Sequence, residues 1–309
     1  MGVRRSPTDP TDAPTAGVPH AKIARMQQVL LPGGQAVPAL GLGTWRLGES
    51  RAQHAHDVAA VRQALDLGYR LIDTAEMYGD GGAERVVGEA MSAAIRAGTL
   101  QREDAFLVTK VVPSNASRTG TVAACERSLQ RLGADYVDLY LLHWRGGHPV
   151  AETVAAFESL RQRGLIRAWG VSNFDVDDLD ELCGVDGGPN CGVNQVYYSA
   201  SERGIEFDLL PAQRKRGLAT MAYCPIDQGA LAGDTTFAEI GRRHGVRAAQ
   251  AALAWVLRQP DVIAIPKAAR VSHLRENLAA AELTLTDRDL AAVDARFPPP
   301  KRKRPLAMT

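Results

Sequence analysis

The sequence is short of the features that mark several large classes of protein. It carries four cysteines in 309 residues: Cys125, Cys183, Cys191 and Cys224. None forms a C-x-x-C pair or joins histidines at zinc-ligand spacing, so there is no case for a metal site or a dithiol redox motif. Cys183 and Cys191 flank a Gly-rich loop, "GVDGGPN", and would pair only in an oxidising compartment, yet nothing in the sequence marks export. Surplus charge is also missing. With 36 Lys and Arg against 35 Asp and Glu, a formal charge of +1 leaves no footprint for nucleic acid or an anionic membrane. No apolar run approaches the roughly 18 residues of a membrane span. What is present, 45% hydrophobic and 23% charged residues, is ordinary for a soluble globular protein, expected in the cytoplasm.

The first residues, "MGVRRSPTDPTDAPTAGVPH", are dominated by Pro, Thr, Asp and Ala. Such a stretch buries too little apolar surface to offset its ordering entropy, so residues 1–25 are expected to be a disordered extension. Arg4 and Arg5 stand together, but no apolar stretch follows them, which removes a twin-arginine signal. One folded domain is expected over residues 26–309, opening with a β-hairpin around Gly33 and Gly34.

From Pro38 onward short apolar runs alternate with amphipathic segments. "ALGLGT", "RLIDTA", "AFLVTK", "VDLYLLH", "RAWGVSN", "GVNQVYY", "ATMAYCP" and "VIAIPK" read as strands. Their apolar residues are continuous rather than alternating, as in strands buried on both faces of a parallel sheet. Segments between them, such as "DVAAVRQALDLG" and "TVAACERSLQRLG", have helical periodicity and finish on a glycine suited to a C-cap. About eight βα units in a chain of this size predict an α/β fold, the (β/α)8 TIM barrel. A doubly wound dinucleotide-binding sheet would place G-x-G-x-x-G after its first strand. "GLGTWRLGES" stands there instead, with the wrong glycine spacing.

Strand C-termini in such a barrel converge on one mouth, where catalytic side chains gather. The second, third and fourth strands end on Asp73, Lys110 and His143, and Tyr78 lies just past Asp73. Singly, each has a plain structural explanation: a turn cap for Asp73, a snorkelling Lys110, a hydrogen-bonded core His143, a packed Tyr78 with its hydroxyl in water. Four polar ends on one rim favour a site.

"GLGTW", "LIDTAEMYG", "FLVTK", "LYLLHW", "GVSNF", "NQVYY" and "IPK…RENL" follow the order of the signatures of the aldo-keto reductase superfamily, which the chain resembles from about Gln27 to its C-terminus. "RGIEFDLLP" and "FPPPKRKRPLAM" are most similar to its bacterial methylglyoxal-reductase-like branch. The resemblance implies a barrel with an N-terminal hairpin and a C-terminal substrate loop that reduces aldehydes and ketones with a nicotinamide cofactor. It places the family's catalytic tetrad on Asp73, Tyr78, Lys110 and His143. Hydride reaching a carbonyl carbon leaves an alkoxide, so a proton donor must stand beside the oxygen. Tyr78 would be that acid, Lys110 would lower its pKa from about 10, and Asp73 would keep Lys110 charged. His143 would position the carbonyl.

The same resemblance implies a cofactor site at the barrel mouth. Gly43, Thr44 and Asp73 would lie against the cofactor, Ser172, Asn173 and Gln195 would hold the carboxamide, and Tyr223 would stack on the nicotinamide ring. Cys224, Pro225, Ile226 and Gln228 would run along the pyrophosphate. Lys267 matches a phosphate-binding lysine, and Glu276 and Asn277 match positions that contact adenine. Ala268 stands where many members carry serine and His273 where many carry arginine, with Arg270 placed to compensate. NADPH is expected ahead of NADH, with an affinity that falls between about pH 6 and 8 as His273 loses charge.

Trp45, Met77, Tyr78, His143 and Trp144, with the tail after Phe297, are expected to wall an open pocket for a small carbonyl substrate. "KRKR", residues 301–304, reads as a solvated tail and not a nucleic-acid patch. A monomer is expected by analogy with soluble members of the superfamily. The rival class is a regulatory or binding module that keeps the fold and a bound nicotinamide but turns over little; an intact tetrad does not separate the two.

Overall fold

Strands apolar on both faces must be covered on both, and the chain meets that demand by closing its sheet and wrapping it in helices. The structure is a computed structural model that describes residues 27–309; the extension expected over 1–25 lies outside the described residues. It opens with the expected hairpin, β1 (Gln28–Leu30) antiparallel to β2 (Ala36–Pro38). Eight parallel strands follow in chain order: β3 (Leu42–Gly43), β4 (Leu71–Asp73), β5 (Phe106–Val111), β6 (Val137–Leu142), β7 (Ile166–Ser172), β8 (Val193–Tyr197), β9 (Ala219–Tyr223) and β10 (Val262–Ala264). Parallel bridges Leu40–Ala264 and Gly43–Lys267 join first to last, so the sheet closes on itself as a barrel. Each strand expected from the sequence is present, and β3 is the shortest at two residues. Gly43 is needed at that seam, because a Cβ there would stand 2.7 Å from the carbonyl oxygen of Ile265.

Among the described residues ten α-helices pack outside: α1 (His54–Leu67), α2 (Gly82–Arg96), α3 (Arg118–Leu132), α4 (Val150–Gln162), α5 (Val176–Cys183), α6 (Leu209–Arg216), α7 (Thr235–His244), α8 (Ala248–Leu257), α9 (Val271–Ala280) and α10 (Asp287–Arg296). Local chemistry sets their ends. Gly68 and Gly133, both left-handed, return their N–H groups to the last turns of α1 and α3. Asp234 and Thr286 cap α7 and α10 through their side chains.

The hairpin's Leu31 and Pro32 lie against Gly192, just ahead of β8, so the hairpin covers the N-terminal end of the barrel. The opposite end stays open. Residues after α10 run without regular structure and bring Met308 and Thr309 to that open mouth. The basic tail is less free than expected: Lys303 pairs with Asp175 at 3.1 Å and Asp208 at 3.4 Å. All four cysteines are free thiols. Among the described residues no helix is long and apolar enough to cross a membrane.

Candidate active site

The register of β4 and β5 brings a carboxylate and an ammonium together at the foot of the mouth. Lys110, wholly buried, donates from Nζ to Asp73 Oδ2 at 2.8 Å, to the Thr74 carbonyl at 2.8 Å and to the Tyr78 hydroxyl at 3.3 Å. An ammonium has three hydrogens, and these contacts use all of them. Asp73 Oδ1 accepts from Gln195 Nε2 at 2.8 Å, which ties β8 to the same cluster. Thr44 is buried, its Oγ1 donating to the Asp73 carbonyl at 2.9 Å.

Tyr78 is aimed by its loop. Glu76 accepts from the Val112 N–H at 2.9 Å and from Asn115 Nδ2 at 3.0 Å, pinning the segment beyond β4. On the other flank Gly82 lies so close to Gly48 that a Cβ there would fall 2.1 Å from the Gly48 oxygen. The Tyr78 ring meets His143 edge-on, centroids 5.7 Å apart. His143 in turn lies 5.0 Å from Trp144.

Burial decides the electrostatics. It pushes Tyr78 above the ordinary phenol range; Lys110 pulls the other way and does not win. Lys110 acts in the expected, lowering direction, but burial outweighs it: the phenol's anion loses more hydration in the protein than one ammonium returns. For Lys110 burial works against the charge, but Asp73 and Tyr78 more than offset it and the ammonium is held above its usual value. His143 lies well below the usual imidazole range, through burial first and Lys110 second, so it is neutral near pH 7. Its Nδ1 is buried without a hydrogen-bond partner in the protein.

Above this foot opens a cleft of about 740 Å³. Asp73, Tyr78 and His143 reach its wall, with Gly43, Trp45, Met77 and Trp144 beside them. Ser172, Asn173, Gln195 and Tyr223 line the next stretch, followed by Cys224, Pro225, Ile226 and Gln228. Asn173, in the left-handed region at φ 56°, accepts from the Tyr223 hydroxyl at 2.9 Å and donates to the His143 carbonyl at 3.2 Å. Lys267, His273, Glu276 and Asn277 line the far end.

Four expected residues are off the wall. Lys110 sits beneath it, Thr44 and Ala268 are buried, and Arg270 lies outside. Arg270 Nη2 lies 2.7 Å from His273 Nε2, which ties the two side chains together at this end. The tail after Phe297 reaches the cleft as expected, through Met308 and Thr309, and the cleft also holds residues absent from the sequence expectations, including Arg46, Arg247, Ala248 and Ala249. Arg247 precedes α8 and pairs with Glu276 at 3.1 Å. Its place before a helix N-terminus was the one sequence signal.

A closed eight-stranded barrel with a buried Asp–Lys–Tyr cluster at its C-terminal mouth defines an oxidoreductase class, and the chain belongs to the Aldo/keto reductase family, whose model matches residues 39–296. It is 47% identical over 290 residues to the methylglyoxal reductase YeaE of Escherichia coli, covering 92% of this chain and all of that one. It is 33% identical to a glyoxal reductase of Bacillus subtilis, covering 86% of this chain and 91% of that one. Among solved structures it superposes with a TM-score of 0.87 on an aldo/keto reductase of Klebsiella pneumoniae in complex with NADP and acetate, at 45% identity over 92% of this chain and 100% of that one.

Proposed function

We propose that this chain is an NADPH-dependent reductase of small reactive carbonyls, with α-dicarbonyls such as methylglyoxal the first candidates. The observation that carries the reading is the contact of Lys110 Nζ with both Asp73 and Tyr78 at the foot of the cleft. The cleft fits the cofactor. It offers the amides of Asn173 and Gln195 and the Ser172 hydroxyl to a carboxamide, the Tyr223 ring to a flat face, and Lys267 to a phosphate. The relatives support the substrate class: one is a methylglyoxal reductase, one a glyoxal reductase, and the Klebsiella enzyme was solved with NADP.

NADPH held by Ser172, Asn173, Gln195, Tyr223 and Lys267 would supply the hydride that the carbonyl carbon needs. Tyr78 gives its proton to the carbonyl oxygen, and the alcohol leaves. A phenol held above its usual pKa is fully protonated before reaction, as a donor must be. Lys110 then stabilises the tyrosinate until solvent returns the proton. Asp73 keeps Lys110 cationic in a place where an unpaired ammonium would shed its proton. Neutral His143 directs the carbonyl towards Tyr78 without competing as an acid.

The test is loss of reduced-nicotinamide absorbance with methylglyoxal, in wild type and Tyr78→Phe. Steady turnover that falls about 10²- to 10⁴-fold in the variant is expected, the usual worth of a general acid. Undiminished turnover in the variant would remove Tyr78 from the role. NADPH binding without turnover of any small carbonyl would move the reading to a binding module.

A further inference from the structure

The loop after β9 holds unusual backbone. Cys224, Asp227 and Gln228 have φ of 49°, 50° and 50°, and Gly229 has 98°. Side chains other than glycine occupy that region at a cost, and they stay there only when their surroundings leave no alternative. The loop is also part of the cleft: Cys224, Pro225, Ile226, Gln228 and Gly229 all line it. Asp227 does not. Its side chain turns back into the protein, where Oδ1 accepts from the Tyr197 hydroxyl and Oδ2 accepts from Ser201 Oγ at 2.8 Å.

Tyr197 ends β8 and is 9% exposed. Its ring stacks on Tyr223 with centroids 5.5 Å apart and planes 26° from parallel. Thus one side chain grips the loop through its hydroxyl and backs Tyr223 through its ring. Burial and the neighbouring carboxylate both push the Tyr197 phenol up, so it remains a donor through the neutral range. Both carboxylate oxygens of Asp227 are engaged on the side away from the cleft.

We propose that Tyr197 and Asp227 form a latch that holds the 224–229 loop in its left-handed shape and so sets how tightly the nicotinamide cofactor is kept. The proposal rests on the cofactor reading of the cleft given above. Neither residue touches the reacting atoms; both are positioning residues. Two physical effects act together. Without the latch the loop relaxes to ordinary φ values and its wall of the cleft is lost. The freed carboxylate also gains access to the cleft, where it repels the cofactor's diphosphate.

The experiment measures NADPH and NADH dissociation constants by fluorescence for wild type, Tyr197→Phe, Asp227→Ala, Asp227→Asn and the Phe/Ala double variant. Unliganded melting temperatures establish that each is folded. Tyr197→Phe and Asp227→Ala are expected to weaken NADPH about ten-fold each, which corresponds to about 1.4 kcal/mol. The double variant should be little worse than either, since the two act as one contact. Asp227→Asn, which still accepts from the phenol, should recover most of the affinity. NADH should weaken by the same factor as NADPH, because the latch lies away from Lys267. The loss should appear in KM for NADPH and not in kcat. Affinities within about two-fold of wild type in both single variants, or additive losses in the double, would overturn the latch while leaving the cofactor reading intact. Failure of the wild type to bind NADPH would overturn that reading and the latch with it.

Discussion

The two ends of the cleft are built on opposite plans. At the foot, Lys110, Asp73 and Gln195 are buried, and the ammonium hydrogens are committed at 2.8–3.3 Å to groups fixed by strands or by a pinned loop. At the far end the charges stand on exposed side chains that lean on one another, Arg247 on Glu276 and Arg270 on His273. A proton donor must stand within hydrogen-bond reach of its target, so the foot can yield little. A phosphate accepts cations from several directions, so the far end can be loose and still grip. The foot should therefore govern turnover and stability, and the far end affinity alone.

The largest expected effect is the 10²- to 10⁴-fold loss of turnover in Tyr78→Phe. Next comes Asp73→Ala. It strands a wholly buried ammonium, and breaking such a pair costs about 3–5 kcal/mol of stability. Denaturant unfolding should show that loss, along with near-complete loss of turnover. A change under about 1 kcal/mol would mean that the Thr74 carbonyl and Tyr78 hydroxyl satisfy Lys110 unaided, and the two ends would differ less than the geometry implies.

Lys267→Ala tests the far end. It should weaken NADPH about ten-fold, leave NADH nearly unchanged and spare kcat. The difference between the two cofactors should shrink as salt rises, because the lysine is solvent-exposed and its attraction is screened. Equal weakening of both cofactors would place Lys267 elsewhere than at the phosphate that distinguishes them.

The same contrast explains what the sequence disclosed. The foot was legible because strand ends converge in a barrel, so Asp73, Lys110 and His143 follow from three apolar runs and their last polar residues. The far end was legible only as motif, and the geometry redistributed it. Ala268 is buried and Arg270 lies outside the cleft, while their neighbours Lys267 and His273 line it. Arg247 comes to the cleft from a segment with no pattern of its own, whereas Thr309 arrives with the tail already expected there. Tyr197 and Asp227 meet across 30 residues of sequence, a pairing that only the closed barrel creates. The upward shift of Tyr78 was likewise out of reach, since it depends on how much protein surrounds the ring.

The smallest expected effect also divides the two ends. His143, at the foot, has its pKa pushed well below the ordinary value by burial and by Lys110. Above about pH 6.5 both folded and unfolded chains carry it neutral, and it contributes no pH dependence. As pH falls below that value the unfolded chain takes up a proton that the folded chain refuses. Stability therefore drops with falling pH, by at most about 1.4 kcal/mol per pH unit from this one group, until the folded pKa is reached. His143→Gln removes the group, so the difference in unfolding free energy between variant and wild type should shift in the variant's favour from pH 6.5 to 5. Lys267→Ala, which leaves His143 in place, should follow the wild-type slope. Parallel slopes for wild type and His143→Gln would mean that the imidazole reaches solvent in the folded chain, and the foot would then be as open as the far end.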